Sequence, residues 1–238
     1  MNDNSRFQYI ACQFEELQYL KTKSDIQKAL QNLPEGLDKT YERMLQSVRL
    51  HNRKRVLNVL KWLAFFHKPL FLVELAEIFV LDHMAEIPFD KKDRLVDPRA
   101  VLGILRGLVF EVPVTTLVAY GVKRDTIEIR LAHFSIKEYL ISSRISEGPA
   151  ASFQITESDT NLHIAESCFA YHICLSGSII ASEKSLEEYP LWYTAVRGGP
   201  LHLERIPRAK WPKSVTTRAQ RIFTRSSRSF LNTCCLDF

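Results

Sequence analysis

The 238-residue sequence contains only eight glycines (Gly36, Gly103, Gly107, Gly121, Gly148, Gly177, Gly198 and Gly199). None falls in G-x-x-x-x-G-K-[ST], the loop whose backbone N–H groups and lysine cradle nucleotide phosphates. This excludes nucleotide hydrolysis by a P-loop within these residues. H-E-x-x-H, which would place two zinc-binding histidines on one helix face, is absent. So is G-x-S-x-G, the strained elbow that exposes a serine nucleophile. Cysteine is scarce: Cys12, Cys168, Cys174, Cys234 and Cys235 are odd in number and show no framework spacing, which points to a reduced intracellular chain. Long apolar runs are missing too. The longest, Trp62–Phe66, falls far short of the roughly 20 residues that span a bilayer. Residues 1–10 are mostly polar and lack the apolar centre of a signal peptide. No internal repeat of fixed period is present.

What remains is ordinary globular composition, with 46% hydrophobic and 25% charged residues. The formal charge of +5 is unevenly placed. Residues 1–204 carry 24 basic and 26 acidic side chains. From Arg205 to Leu236 there are eight basic residues and no acidic one. The chain reads as a nearly neutral body with a basic tail.

Apolar periodicity predicts a mainly helical fold. Phe7, Ile10, Phe14 and Leu17 start a helical stretch over 7–31, with Ser24 as a plausible second N-cap, and Asn32–Gly36 breaks it. Leu37, Tyr41, Met44, Leu45 and Val48 form one stripe. A helix over 53–66 presents Val56, Val59, Leu60, Leu63 and Ala64 on one side, and Lys68-Pro69 stops it. A third, over 72–81, turns Leu72, Leu75, Ala76 and Phe79 inward and Glu74 and Glu77 outward. Residues 83–97 read as loop, 98–106 as a short helix ended by Gly107. Residues 108–114 and 126–131 read as the strands of a hairpin. Ser135 and Glu138 have capping-box spacing, with Phe134 and Tyr139 placed as a hydrophobic staple, predicting a helix over 135–145. Helices over 161–176, 188–197 and 214–231 follow, and Pro200, Pro207 and Pro212 predict irregular chain over 199–213. Three helices, a two-stranded ribbon and another helix, in that order, are the elements of a winged-helix unit with the ribbon as its wing.

Few residues carry chemistry. His163, Cys168, His172 and Cys174 share one predicted helix. Zinc sites normally draw ligands from two elements, so packing of Cys168 as a small hydrophobe is the simpler reading, and no metal is assigned. Cys234 and Cys235 are adjacent and lack C-x-x-C spacing. Winged helices often bind DNA, which calls for a basic recognition helix. Here 98–106 offers only Arg99 and Arg106, the 72–81 helix is apolar and acidic, and the wing tip sets Lys123 and Arg124 against Asp125. Specific nucleic-acid binding is therefore the alternative, not the first reading. His133, at a strand-to-helix corner, is by itself read as a hydrogen-bonded structural histidine.

Read together, several segments resemble the region that follows the nucleotide-binding domain of fungal NACHT-type signalling NTPases. Residues 33–45, LPEGLDKTYERML, resemble "LPxxLDxTYxRIL". VLKWLA (59–64), KPL (68–70) and LVELAE (72–77) are similar to "LxWLAFxxRPLxLxELAEA". GLV (107–109) with LAHFSIKEYL (131–140) is similar to "GLV…LAHFSVKEYL", and HIAESC (163–168) to "HxxIAxxCL". YPL (189–191) with Ala195 resembles "YPLxxYAAxxW". The likeness covers nearly the whole chain and fades after about residue 200. It implies the winged-helix region named after GPI inositol-deacylase, without lipase chemistry. The implied organisation is the helical end of an NTPase domain over 1–32, a winged-helix domain over 33–147, and a helical extension with a basic tail over 148–238.

The resemblance implies a non-catalytic, cytoplasmic regulatory module that packs on a NACHT NTPase domain and relays its nucleotide state. Its partners would be that domain and the ankyrin repeats of full-length relatives, with no cofactor, membrane or specific nucleic acid. It also singles out His133. In related signalling NTPases a histidine at this corner contacts the ADP phosphate, in an "MHD" motif. This chain reads Ala132-His133-Phe134, with phenylalanine where that motif has aspartate.

Overall fold

The computed structural model describes residues 36–117, 123–175 and 187–224, together with Thr22. The helical stretch expected over 7–31, Cys12, Cys234 and Cys235, and the tail beyond 224 lie outside these residues, as do the hairpin tip and the side chains of Lys123 and Arg124. The described chain is mainly helical, with one small antiparallel sheet. No described helix is long and apolar enough to cross a membrane.

The first two helices follow the expected stripes. Helix α1 (Leu37–Ser47) begins after Gly36, whose φ of 109° is a left-handed conformation that suits glycine. It buries Tyr41, Met44 and Leu45. Helix α2 (Leu50–Phe65) buries Val56, Val59, Leu60 and Trp62. Directly after Pro69, the chain pairs briefly as strand β1 (Leu70–Phe71), an element not expected from the sequence. A two-residue strand is too short for alternation to register. Helix α3 (Leu72–Val80) follows directly.

Glu74 and Glu77 of α3 do not face outward: both are 3% exposed. The face opposite the α2 contact is covered by the helices that come after residue 150, so α3 is buried on both sides. A single-sided amphipathic template cannot see the second layer.

After the loop that follows α3, which contains a 3₁₀ turn at Lys91–Asp93, comes the short helix α4 (Ala100–Ile104). Gly107, at φ 71°, makes the turn into the ribbon. Strands β2 (Val109–Leu117) and β3 (Lys123–Leu131) pair antiparallel in register from Val109–Leu131 to Leu117–Lys123, and Ala132 N donates to Leu108 O at 2.9 Å to close the ribbon's base. β1 adds to the other side of β3, giving the order β1-β3-β2. The sheet thus has three strands where the sequence predicted a two-stranded ribbon. Pro113 is tolerated because β2 is an edge strand and its missing N–H breaks no inner ladder.

Helix α5 (Phe134–Ile141) begins one residue earlier than expected, capped by His133 rather than Ser135. The expected staple is absent: Phe134 is 61% exposed, while Tyr139 is buried. A break at Ser142 separates the short α6 (Ser143–Ser146). Helix α7 (Glu157–Cys174) is capped by Thr156, whose Oγ1 accepts from Asp159 N at 3.2 Å. Helix α8 (Trp192–Glu204) runs through Pro200, against the irregular chain expected over 199–213. Packing decides this: Trp192, Ala195, Val196, His202 and Leu203 are buried, and that burial outweighs the lost backbone bond. Helix α9 (Lys213–Phe223) and α8 both lie on α7. One hydrophobic cluster extends from Tyr41 through Val59, Leu75 and Leu140 to Trp192, so the 33–147 and 148–238 portions share a core.

Candidate functional site

His133 occupies the corner between β3 and α5. His133 has an extended backbone, so its ring folds back over the first turn of α5. Nδ1 accepts from Ser135 N at 3.3 Å and lies 2.7 Å from Ser135 Oγ. Tyr41 OH lies 2.7 Å from the same Oγ. With Nδ1 accepting, the neutral ring carries its proton on Nε2. Among the described residues nothing accepts from that nitrogen, so it is a donor held in a fixed direction. The Phe134 ring lies 4.2 Å from the imidazole.

The second group sits between the helical layers. Glu74 accepts from Phe71 N at 2.8 Å and from Thr194 Oγ1, with Lys68 Nζ 3.8 Å away. Glu77 accepts from Tyr171 OH, from Arg94 and from Leu191 N at 3.2 Å. Burial pushes both carboxyls above their ordinary value, and these partners only partly offset it. The Tyr171 hydroxyl is pushed well up by burial and by the Glu77 charge. These carboxylates tie α3 to α7 and to the first turn of α8. The sequence reading missed them because their spacing alone looks like a solvated face.

A third group joins α2, α3, α7 and α9. Asn58 Nδ2 donates to Ile78 O at 2.6 Å and Leu81 O at 3.1 Å, leaving Oδ1 to accept from His163 Nε2 at 2.5 Å. Burial, reinforced by Lys61, pulls His163 down to about 2, so the ring is neutral. His83 Nε2 lies 3.2 Å from Glu166, and its Nδ1 lies 3.4 Å from Ser167 Oγ. Burial opposes ionisation of Glu166, yet hydrogen bonds from His83 and Ser214 outweigh it and hold the carboxyl below its ordinary value. The three residues Ser167, His83 and Glu166 have the composition of a nucleophilic triad. Ser167, however, is 0% exposed in the middle of α7, where no substrate carbonyl can approach. The group is a structural junction.

The helix that suggested metal ligands spreads them apart in function. His163 is committed to Asn58, and Cys168 is fully buried, with burial raising its thiol far above the ordinary value. Cys168 packs where α7 meets Gly198 and Gly199 of α8. Among the described residues, no group of three or more His, Cys, Asp or Glu side chains is arranged to hold a metal ion. The candidate DNA-reading helix, α4, is five residues long, and Arg99 beside it is paired with Glu111 at 2.9 Å.

No protein-family model matches the chain, and no solved structure matches it. The chain is similar to the azaphilone pigments biosynthesis cluster protein L of Monascus ruber, 30% identical over 177 residues. The matched segment is 74% of this chain and 36% of that protein, so the chain spans about a third of the relative's length.

Proposed function

We propose that the chain is a non-catalytic regulatory module built on a winged helix, which packs on a NACHT-type NTPase domain and relays its nucleotide state. The observation that carries the fold part is the sheet order β1-β3-β2, with α2 before β1 and α3 and α4 between β1 and the ribbon. That order and pairing support a winged-helix reading, with β2 and β3 as the wing. His133 at the start of α5, with its Nε2 donor unengaged by any described residue, suits contact with the terminal phosphate of a bound ADP. The relative from Monascus ruber is much longer than the matched segment, which fits a module carried within a larger protein. The ankyrin repeats expected beyond such a module are a further partner under this reading.

The shared core supports a relay. The helices after residue 150 are joined to α3 through Glu74 and Glu77, so a push on one portion moves both as a rigid body. Nucleic-acid binding is the weaker reading, because α4 is short and its flanking Arg99 is already paired.

The test is co-expression of this chain with the NTPase domain of a full-length NACHT relative. The expected result is co-elution on size exclusion and a higher ADP content of the purified NTPase domain. No co-elution and unchanged nucleotide content would overturn the reading. A steep fall of duplex-DNA affinity with salt, several units on the log–log plot, would favour the nucleic-acid alternative instead.

A further inference from the structure

The outer face of α2 is basic. His51, Lys54, Arg55 and Lys61 follow one another at three-, one- and six-residue steps around the buried Asn58, spread over one side of the helix. Together with residues 80–84 and His163, that face encloses a cleft of about 530 Å³. This is within the span of roughly 300–1,000 Å³ usual for small-ligand sites.

The charge in this cleft is one-sided. Lys54, Arg55 and Lys61 face a single lining carboxylate, Asp82. Asp82 is already occupied, by Lys54 and by Met84 N at 3.1 Å. Lys61 is half-buried, and among the described residues neither Lys61 nor Arg55 reaches a carboxylate within ion-pair distance. Arg55 instead lies over the Phe79 ring, 5.6 Å from its centroid. Burial disfavours the Lys61 ammonium, and the Asp159 charge, beyond ion-pair distance, offsets this only in part, so an incoming anion relieves it. The wall is also pre-formed. Asn58 is pinned to Ile78 O and Leu81 O and holds the His163 ring, so little ordering is required on binding. Leu57, Val80 and Leu81 give the cleft an apolar side.

We propose that this cleft binds a small organic phosphate, with the phosphoryl oxygens between Arg55 and Lys61 and the organic part against Leu57, Val80 and Leu81. A guanidinium fork matches two phosphoryl oxygens, and the ammonium supplies a point charge beside it. The apolar side favours a phosphate ester over bare inorganic phosphate. A concave site with a carboxylate in its wall suits a small ligand better than a nucleic-acid backbone. This site does not involve His133 and stands independently of the NTPase reading.

Calorimetric titration of the full chain with ADP and with pyrophosphate at physiological ionic strength tests the assignment. The expected result is saturable one-site binding of ADP, tighter than pyrophosphate. Arg55→Gln and Lys61→Gln are each expected to weaken ADP by about tenfold or more. Arg130→Gln, on the exposed face of β3, is expected to leave it unchanged. No saturable binding of either probe overturns the proposal, as does an equal loss in Arg130→Gln, which would mark diffuse electrostatics. Displacement of ADP by a short DNA duplex that itself depends on Arg55 would assign the cleft to nucleic acid and overturn it too. Because Lys61→Gln alters a half-buried position, ring-proton NMR of His163 and His83 in the unmodified chain gives a second readout. Their signals shift on ADP titration if the cleft fills; unmoved signals refute binding there.

Discussion

Thr194 on α8 donates its hydroxyl hydrogen to the buried Glu74 carboxylate on α3, 120 residues earlier in the chain. This bond fastens the later helices to the earlier unit at a point where neither group meets water. Thr194→Val keeps the shape and removes the donor. The cost expected for a buried carboxylate that loses a donor is about 1–3 kcal/mol. Urea unfolding checks it: the midpoint falls while the slope of free energy against urea stays constant. A loss below about 0.5 kcal/mol, the size of an ordinary surface substitution, would show that the layers are not fastened there.

Glu74 also gives the fold a pH signature. Burial pushes its carboxyl above the ordinary 4.5, against the opposing pull of Lys68, Thr194 and the Phe71 amide. The folded state therefore keeps a proton at pH values where the unfolded chain has released it. The corresponding stabilisation is complete below pH 4.5 and is lost as pH rises through the higher folded value. Glu74→Gln supplies a neutral side chain at every pH. The stability of Glu74→Gln relative to the unmodified chain is expected to increase as pH rises above 4.5 and then level off. Urea midpoints for both proteins across a pH series give the difference. A pH-independent difference, or one of opposite slope, contradicts the raised carboxyl.

Two helical glycines are expected to respond in opposite directions to the same substitution. A Cβ on Gly199 would lie 2.7 Å from Phe169 Cε1, and the backbone of α8 approaches α7 there because it has no side chain. Gly103 in α4 has nothing within 4 Å of such an atom. Alanine is favoured over glycine in a helix by about 1 kcal/mol, whereas overpacking a core costs about 1–3 kcal/mol. Gly103→Ala is thus expected to raise the melting temperature and Gly199→Ala to lower it. A rise in both would mean that α7 and α8 are not packed this closely.

The sequence made α1, α2 and α3 legible because each carries an apolar stripe of helical period. The turn at Gly107 and the corner at His133 were legible from residue type and position. Glu74 and Glu77 were not. Their burial depends on Thr194, Tyr171 and Arg94, residues that no local window brings together with them. Pro200 misled for the same reason, since the packing of Trp192 and Leu203 holds α8 through it. Asn58 gave no signal at all: a polar residue beside a stripe reads as surface until His163 and two backbone carbonyls are seen around it.

His133 caps α5 and is proposed to contact ADP, and one substitution distinguishes the two. Its Nδ1 caps α5, and loss of an N-cap acceptor costs about 1 kcal/mol. Its Nε2 is the donor proposed for the ADP phosphate. His133→Ala removes both, so it cannot separate a loosened helix from a lost nucleotide contact. His133→Asn restores a side-chain acceptor suited to capping and has no donor at the reach of Nε2. In this chain, His133→Asn is expected to melt near the unmodified protein and His133→Ala lower. In a full-length NACHT relative carrying the corresponding changes, both are expected to lose ADP on desalting about tenfold more readily, a difference of about 1.4 kcal/mol. Retention of ADP by the asparagine variant at the level of the unmodified protein would reduce His133 to a helix cap and remove the residue-level basis for nucleotide sensing at this corner.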